Sequence, residues 1–418
     1  MKEPYITRKL ENTILRYLNT PEIIAIIGPR QSGKTTLLER VFEPLKKEAV
    51  FLTFEDKKIL DLFVHNIDEF IELYIKPYKY IFLDEFQYAK KGGKLLKYII
   101  DIQKSKIFIS GSSSIELTVQ AVKYLTGRIF VFSLFPLDFE EYLRFKNPNL
   151  LSLYLKSKIV LSDYGLKLFP TLSENIIEQI QSHYQDYVIY GGYPRVALAV
   201  DANEKKTVLQ NIYNTYFLRE VKDILGLVDD YKLTQMIKAL ALQIGGLIQY
   251  REISDVSELS FQTVKGYLNF LQKTFIAILV KPYFKNKRTE IVKNPKIYFF
   301  DTGLRNYIVD DFRKIADRPD GGFLLENAVA MQLTKQEVSF KFWRTKQKSE
   351  VDFVLDLGEG KKLALEVKKS FRDGDFNYKS ARDFQAQHQE APLFFGSYEQ
   401  KSAKAKPAQI NAIFLPMV

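Results

Sequence analysis

The chain has 418 residues, 46% of them hydrophobic and 27% charged, which is long for one hydrophobic core and predicts two or three domains. It contains no cysteine, which excludes disulfide bonds, thiolate catalysis and cysteine zinc sites, and its histidines, His65, His183 and His388, lack the spacing of metal ligands. The 61 basic residues exceed the 50 acidic ones by 11, which favours contact with polyanions such as nucleic acid, although a lysine-rich solvated surface explains the excess as well.

The chain begins with MKEPYITRKL, which lacks the apolar stretch of a signal peptide. No run of residues approaches the roughly 18 apolar positions that a membrane span needs. We therefore expect a cytoplasmic protein that makes no contact with a membrane.

A phosphate-binding loop is predicted where residues 22–42 read EIIAIIGPRQSGKTTLLERVF. The pattern is an apolar strand, a glycine loop that fits G-x-x-x-x-G-K-[ST], and a helix. Gly28 and Gly33 let backbone N–H groups close around phosphate. Lys34 reaches the β- and γ-phosphates, and Thr35 ligates magnesium; the alternative is a loop with a purely structural role. The predicted ATP-binding residues of this loop are Gly28, Pro29, Arg30, Gln31, Ser32, Gly33, Lys34, Thr35 and Thr36.

An apolar strand with an acidic end follows at 80–86, where the sequence is YIFLDEF. Asp84 is placed to hold the magnesium shell. Glu85 is placed to orient and polarise the attacking water, which favours hydrolysis over passive binding. An exposed acidic strand end without a catalytic role is the alternative.

The alternation of helices and strands continues with the helical pattern KLLKYIIDIQ and the buried strand in KIFISGSSS. Such alternation predicts a parallel sheet whose ligand lies at the carboxyl ends of the strands. Ser112 or Ser113 is therefore a candidate contact to the γ-phosphate, and ordinary turn serines explain the pattern equally well.

A family resemblance rests on GPRQSGKTTL, FLDEFQ, FISGSS and LTGRIFVFSLFPLDFEEYL. These stretches resemble bacterial and archaeal AAA-type ATPases that carry a C-terminal domain of uncertain function. The resemblance spans most of the chain and implies hydrolysis of ATP with Mg²⁺. Arg128, in LTGR, matches an arginine that acts in this superfamily as a finger or sensor on the γ-phosphate; a surface arginine before a strand is the alternative. A finger supplied by a neighbouring subunit would require a homo-oligomer, whereas Arg128 acting in its own subunit would not.

The middle of the chain is less regular. Residues 145–185 lack a clear period and predict a connecting region. YGGYPR, at 190–195, resembles a motif of the same family, but its residues indicate no chemical role, and a tight turn explains them.

A winged-helix arrangement is predicted from YREISDVSELSFQTVKGYLNFLQKTF, which reads as helix, turn and helix with Ser260 as an N-cap. Strands within AILVKPYFKN and PKIYFFDTG follow it. If this unit binds DNA, the side chains of its second helix that lie off the apolar face of that helix would enter the major groove. The alternatives are a spacer or a docking site for a protein partner. The residues in question are Gln262, Thr263, Lys265 and Asn269.

A β-hairpin is predicted at 349–370, where SEVDFVLDLGEGKKLALEVKKS turns at Gly-Glu-Gly. A turn centred on Glu359 gives an apolar face on which Val351, Phe353 and Leu355 lie opposite Val367, Leu365 and Leu363. The other face sets Glu350 opposite Lys368 as an ion pair. It also sets Asp352 opposite Glu366, and two adjacent carboxylates repel, so a lysine or a divalent cation must offset them.

This hairpin resembles the core of PD-(D/E)XK nucleases. The resemblance maps Asp352, Glu366 and Lys368 onto the core motif, and Glu326, in GGFLLENAVAMQL, onto the acid of the first helix. It implies that Asp352 and Glu366 bind the metal that activates water, while Lys368 orients the nucleophile. The alternative is a nuclease-like domain in which these residues serve only structure.

The expected α/β fold comprises a P-loop NTPase parallel sheet at 1–145, a helical connecting region at 146–230, a winged-helix domain at 231–315 and a restriction-endonuclease-like domain at 316–418. The expected function is ATP hydrolysis that controls a DNA-interacting, metal-dependent DNA-cleaving C-terminal half. The alternative is an ATP-gated switch that recruits DNA or a protein partner.

Overall fold

The structure is a computed structural model that describes residues 4–111, 124–157, 159–162, 165–168, 172–218, 230–284, 288, 290, 293–370, 379–399 and 409–410. The chain forms two compact units. The N-terminal unit comprises Met1–Leu137, Tyr193–Leu198 and Asn269–Ile276, and the C-terminal unit comprises Asp138–Gly192, Ala199–Leu268 and Ala277–Val418. Among the helices of the described residues, none combines the length and the apolar character needed to cross a membrane.

The N-terminal unit contains a parallel five-stranded sheet in the order β2-β3-β4-β1-β5. Its strands are β1 (Ile23–Ile27), β2 (Ala49–Thr53), β3 (Tyr80–Asp84), β4 (Lys106–Gly111) and β5 (Ile129–Ser133). Its first helices are α1 (Lys9–Arg16), α2 (Lys34–Phe42), α3 (Lys57–His65), α4 (Ile67–Phe70), which continues into a π-helical turn at Ile71–Ile75, and α5 (Gly92–Ile102).

Helices cover both faces of this sheet, and for that reason its strands read as continuous apolar runs. Alternate residues of β1 enter two different cores. Ile23, Ala25 and Ile27 pack in one core with α3 and α5, and Ile24 and Ile26 pack in the other with α1 and α2. The predicted parallel sheet is confirmed, and the carboxyl ends of β1, β3 and β4 lie side by side at one edge.

The helices that follow are α6 (Phe139–Lys146), α7 (Pro148–Lys156), α8 (Glu174–Tyr190), α9 (Pro194–Leu198), α10 (Ala202–Ile212), α11 (Asp230–Leu242), α12 (Tyr250–Ser257), α13 (Phe261–Lys273), α14 (Thr302–Val309), α15 (Gly321–Lys335) and α16 (Lys379–Gln387). A small antiparallel pair, β6 (Ile159–Ser162) and β7 (Gly165–Leu168), precedes α8. The region expected to be a connector thus contains a 17-residue helix. Its buried Ile177, Ile180, Tyr184 and Val188 form a stripe at helical spacing.

The helices of the expected winged-helix segment are present as α12 and α13. The Ser260 hydroxyl accepts a 3.1 Å hydrogen bond from the Thr263 N–H, which confirms the predicted N-cap. Two antiparallel strands follow, β8 (Ala277–Val280) and β9 (Lys296–Phe299). Every residue of β9 is buried, so this strand is part of an interior and does not form an exposed wing. The winged-helix assignment itself stays a prediction.

The C-terminal unit also contains a mixed sheet in the order β10-β11-β12-β13-β14. Its strands are β10 (Ser339–Arg344), β11 (Glu350–Asp356), β12 (Lys362–Lys368), β13 (Leu393–Ser397) and β14 (Gln409–Ile410). The hairpin of β11 and β12 has the predicted register, with Phe353 opposite Leu365 and Leu355 opposite Leu363. The restriction-endonuclease-like assignment stays a prediction.

The expectation of one continuous apolar face on β11 is wrong. Lys341 pairs with Val354, and Trp343 pairs with Val351. One residue of β10 separates the first pair from the second, whereas two residues of β11 do, so β11 has one extra residue there. This β-bulge shifts the alternation of side chains. Val351 therefore joins Val354 in one core cluster, whereas the Phe353 ring packs against Tyr298 and Phe340. The bulge lies between Val351 and Val354 and so includes Asp352, the acid of the predicted nuclease motif.

Candidate functional site

The phosphate-binding loop joins β1 to α2, and two glycines allow its path. A Cβ added at Gly28 would lie 2.1 Å from the Leu134 carbonyl oxygen, so no larger residue fits there. Gly33 has φ +95°, in the left-handed region that favours glycine, and directly precedes the first residue of α2. The backbone N–H groups at the start of this helix are consequently available to an anion.

The polar groups of the loop fit a triphosphate and Mg²⁺. The buried Lys34 ammonium donates to the carbonyl oxygens of Gly28 and Pro29, at 3.0 and 2.9 Å. The Thr35 hydroxyl donates to Asp84 Oδ2 at 2.7 Å, which pairs the two oxygen ligands predicted for magnesium. The Ser32 hydroxyl is buried and has no hydrogen-bond partner within the described residues, as expected of a group that contacts a ligand.

The other predicted loop residues differ in exposure: Pro29 is buried, Arg30 is half-buried, and Gln31 and Thr36 are exposed. Ser112 lies outside the described residues. Ser110 lies two residues earlier, in β4. It is fully buried and hydrogen-bonds to Asp84. Sequence reasoning missed Ser110, although a serine in the apolar strand KIFISG was a usable signal.

Glu85 follows Asp84 at the carboxyl end of β3 and has φ +54°. A non-glycine residue in the left-handed region is strained, and such residues are concentrated at functional sites. The Glu85 N–H lies 3.3 Å from the Ser110 hydroxyl, and the Gln87 amide hydrogen-bonds to the Glu85 carboxylate. These contacts hold the Glu85 backbone at Ser110 and its carboxylate at Gln87, and the role of Glu85 in orienting water stays a prediction.

Arg128 lies away from this site in the structure, and its role on the γ-phosphate stays a prediction. The Arg128 carbonyl accepts a hydrogen bond from the Ile23 N–H, at the start of β1, whereas the phosphate-binding loop begins after Ile27. Four strand steps of about 3.3 Å separate these ends by about 13 Å. The guanidinium is half exposed and forms an ion pair with Asp101. A role in a neighbouring subunit's site stays a proposal.

Two residues far in sequence from the phosphate-binding loop lie against it, and the sequence did not predict either of them. Arg8 is buried and donates to the Ser32 carbonyl at 2.7 Å and to the Phe135 carbonyl at 2.6 Å. Pro194 is the second residue, because a Cβ added at Gly33 would lie 3.8 Å from its Cγ. The local sequence around residues 8 and 194 carries no signal of either contact.

YGGYPR has a structural role that its sequence did not indicate. Gly191 has φ +82°, and a Cβ added there would lie 2.1 Å from Asp301 Oδ1. The Gly192 N–H donates to the other Asp301 oxygen at 2.7 Å. The two glycines thus belong to the C-terminal unit, and the next residues, Tyr193 and Pro194, belong to the N-terminal unit. Burial raises the pKa of Asp301, while the N–H groups of Gly192 and Leu304 partly offset that rise.

The predicted nuclease residues form a cluster around a lysine that sequence reasoning missed. Lys296, the first residue of β9, is fully buried. Its ammonium lies 2.8 Å from Glu326, 2.6 Å from Glu350 and 3.8 Å from Asp352. Tyr298, two residues along the same strand, hydrogen-bonds to Glu326. The available signal was a lysine followed two residues later by tyrosine at the start of the apolar strand KIYF.

The adjacent carboxylates of Asp352 and Glu366 are held by backbone donors. Asp352 Oδ2 accepts from the Val367 N–H at 2.8 Å, and Glu366 Oε2 lies 3.3 Å from the Asp352 N–H. Lys368 lies 2.6 Å from Glu366 Oε1, as the Glu-x-Lys pattern predicted. The predicted Glu350–Lys368 pair is wrong, because Glu350 instead pairs with Arg344 at 2.6 Å and with Lys296.

The charges of this cluster depend on one another. Burial alone would lower the pKa of Lys296, but Glu326, Asp352 and Glu350 raise it above its ordinary value. The ammonium therefore stays charged. Burial raises the pKa of Glu326, and the interactions of this carboxylate with Lys296 and Tyr298 partly offset that rise. Burial, with the charges of Glu326 and Glu366, also raises the pKa of Asp352 well above its ordinary range.

A divalent cation does not fit the cluster in this arrangement. Within the described part of the chain, no three His, Cys, Asp or Glu side chains are grouped to hold a metal ion. The Lys296 ammonium already lies among the carboxylates that such an ion would neutralise. The metal roles predicted for Asp352 and Glu366 stay predictions.

Comparison with known families agrees with the geometry of the N-terminal unit. Residues 20–143 match the model of a family described as an AAA domain. Residues 181–314 and 321–416 match two families described as domains of unknown function, DUF8612 and DUF4143.

Relatives occur in both archaea and bacteria. An uncharacterized protein of Methanocaldococcus jannaschii is 25% identical in an alignment of 353 residues that covers 82% of this chain and 74% of that protein. An uncharacterized protein of Haemophilus influenzae is 25% identical over 358 residues, 82% of this chain and 81% of that protein. Among solved structures, the ORC1 protein of Aeropyrum pernix in complex with DNA is 13% identical, with a TM-score of 0.34, over 74% of this chain and 94% of that one.

Proposed function

We propose that this protein uses ATP hydrolysis to control nucleic-acid binding. Residues 20–143 are the AAA-type P-loop ATPase domain that hydrolyses ATP. The C-terminal half binds the nucleic acid without cutting it. The observation that favours binding without cutting is the Lys296 ammonium within the carboxylate cluster. The wholly buried Lys296 offsets part of the charge of these acids, and Arg344 also pairs with Glu350, so cations of the chain lie where a metal ion would bind.

For hydrolysis, Lys34 and the N–H groups of the loop would hold the phosphates, and Thr35 and Asp84 would hold Mg²⁺. When bound, Mg²⁺ supplies positive charge that stabilises the transferring phosphoryl group. Glu85 orients the attacking water with its carboxylate, which the Gln87 amide holds by a hydrogen bond.

Control by nucleotide is supported by the path of the chain through YGGYPR. Gly191 and Gly192 are fixed to Asp301 in the C-terminal unit, and Pro194, two residues later, approaches Gly33 of the phosphate-binding loop. A change of the loop on binding ATP or releasing phosphate would act on Pro194 directly. The covalent connection between Gly192 and Pro194 is short enough to transmit such a change to the C-terminal unit.

DNA binding at different nucleotide states tests the proposal. Labelled single- and double-stranded DNA is titrated with the protein in ATP, in ADP and without nucleotide, with Lys34→Ala as the variant unable to respond. We expect the affinity for DNA to differ at least about fivefold between ATP and ADP in the wild type and not in Lys34→Ala. Binding should also weaken steeply with salt. Equal affinity in every nucleotide state contradicts the control, and flat salt dependence points instead to a protein partner.

A second function, metal-dependent cleavage of DNA, is supported by Asp352, Glu366 and Lys368 in the pattern of nuclease cores, with Lys368 2.6 Å from Glu366. It would require Lys296 to leave the cluster. Incubating DNA with the protein and Mg²⁺ or Mn²⁺ distinguishes the two functions. Cleavage that Glu366→Ala abolishes, and that Glu359→Ala in the exposed turn preserves, would favour the nuclease.

A further inference from the structure

The C-terminal unit contains a cavity of about 730 Å³, within the range of volumes that hold small ligands. Its walls come from the chain after β8, from the segment before β9, and from the end of β10 with the loop that follows. Aromatic rings, amides and basic side chains line it, and its described lining includes no carboxylate. The lining thus differs in composition from the neighbouring carboxylate cluster, which Arg344 contacts through Glu350.

The charged side chains that line the cavity are basic. Lys293, Arg344 and Lys346 line it, and Arg344 is paired with Glu350 at 2.6 Å. Lys293 and Lys346 are exposed, and no carboxylate in the described part of the chain forms an ion pair with either of them. Their positive charge is therefore available to a ligand, and the ligand should carry negative charge.

The aromatic wall is held in place by packing. The rings of Tyr283 and His388 lie 5.2 Å apart, and the Trp343 ring meets His388 edge-on at 6.1 Å. Tyr283 and Phe284 are half-buried, so part of each ring faces the cavity or solvent, whereas Trp343 is buried in the wall. Gln347 and Gln387 add amide donors and acceptors. Flat apolar faces beside amides suit a planar heterocycle.

We propose that this cavity holds one unpaired nucleotide, with its base against Tyr283 or Phe284 and its phosphate at Lys293 and Lys346. The same chemistry occurs in a free mononucleotide and in a base turned out of a strand, and we assign the strand because the proposed function is nucleic-acid binding. The inference rests on that function and names the part of the C-terminal unit that would carry it.

Trp343 makes the site directly observable, because it is the single tryptophan of the chain. Its fluorescence is recorded in the full-length Lys34→Ala background, where the phosphate-binding loop is impaired. The chain is titrated with a 12-nucleotide oligothymidylate, with the same strand in a duplex, and with thymidine monophosphate. We expect the single strand to change the emission at lower concentration than the duplex or the monophosphate.

Charge reversal tests the position of the site. Lys293→Glu combined with Lys346→Glu should weaken binding of the oligothymidylate by about tenfold or more and should lower the slope of log affinity against log salt. The control is Lys314→Glu, an equal charge change per residue at an exposed position outside the cavity. Tyr283→Ala should weaken binding on the order of tenfold, and its thermal unfolding reports whether the fold is kept.

The outcomes separate this inference from the proposed function. If the strand binds but Trp343 emission is unchanged, and the cavity variants match Lys314→Glu, the cavity assignment is overturned while nucleic-acid binding stands. If the monophosphate changes the emission and no strand binds, the cavity is a free-nucleotide site and the proposed function fails. If none of the three ligands changes the emission and labelled DNA does not bind either, both are overturned.

Discussion

The Lys296 ammonium and the Glu350 carboxylate lie 2.6 Å apart, with the lysine side chain fully buried. Glu326 and Asp352 share the same ammonium, so one cation lies among three acids contributed by α15 and β11. The side chain of Asn327 fixes the strand that carries the lysine, because it both accepts from the Phe299 N–H and donates to the Phe299 carbonyl, each at 2.8 Å. The cation is therefore part of a rigid interior.

Replacing this cation should have a large effect on stability. In Lys296→Met the buried acids lose their partner, and breaking a buried ion pair costs about 3–5 kcal/mol. Urea unfolding followed by circular dichroism measures the free energy of unfolding. Lys281→Met, at an exposed lysine, is the matched control. We also expect Mn²⁺ to raise the melting temperature of Lys296→Met and not that of the wild type, because the freed carboxylates are hard oxygen ligands. A loss no greater than that of the control would contradict the assigned role.

Glu85→Gln should separate binding of ATP from its hydrolysis. The amide keeps the volume and removes the negative charge that polarises water, so we expect phosphate release to fall by about 10²-fold or more while ATP affinity stays within about twofold. Phosphate release and isothermal titration measure the two quantities. Glu39→Gln, on the exposed side of α2, should leave both unchanged. Full hydrolysis by Glu85→Gln would move the catalytic role to another residue.

Arg8→Ala should weaken nucleotide binding although residue 8 lies outside the motif. It removes hydrogen bonds of 2.7 and 2.6 Å to the carbonyls of Ser32 and Phe135, and leaving buried carbonyls unsatisfied costs about 1–3 kcal/mol. We expect both a lower melting temperature and an ATP affinity reduced about tenfold, measured by calorimetry. Arg40→Ala is the control, because Arg40 is exposed and lies 3.6 Å from Glu11. An unchanged ATP affinity would show that the loop keeps its form without Arg8.

Arg128→Ala should leave hydrolysis by the dilute protein within about twofold of wild type, because Arg128 lies at the opposite end of β1 from the phosphate-binding loop. Phosphate release measured across a range of protein concentrations also tests a role between subunits. If Arg128 acts in a neighbouring subunit, the rate of phosphate release per wild-type molecule would rise with protein concentration. The rate per Arg128→Ala molecule would not. A large loss at the lowest concentration would mean that Arg128 acts within its own subunit after all.

The parts of this protein that sequence could predict are those whose cause is local. The loop from Gly28 to Thr35 has a fixed spacing, and the hairpin register follows from the length of the Gly358–Gly360 turn. Lys296 and Arg8 could not be predicted, because their partners lie 30 and 24 residues away and are brought near only by tertiary packing. The bulge at Asp352 was missed for a similar reason. Strict alternation within β11 gives no sign that its partner β10 is one residue shorter there.

Gly191→Ala should test the role of YGGYPR in the fold. Gly191 has φ +82°, a conformation that costs a residue with a side chain about 1–3 kcal/mol, and the added Cβ would also lie 2.1 Å from Asp301 Oδ1. We expect the free energy of unfolding to fall by at least that amount in urea titration. Gly322→Ala is the matched control, because its Cβ would meet nothing within 4 Å in α15, and it should stabilise the protein by about 0.4–1 kcal/mol. If both variants unfold at the same urea concentration, the contact between Gly191 and Asp301 does not constrain the fold, and the proposed route from the phosphate-binding loop to the C-terminal unit loses its anchor.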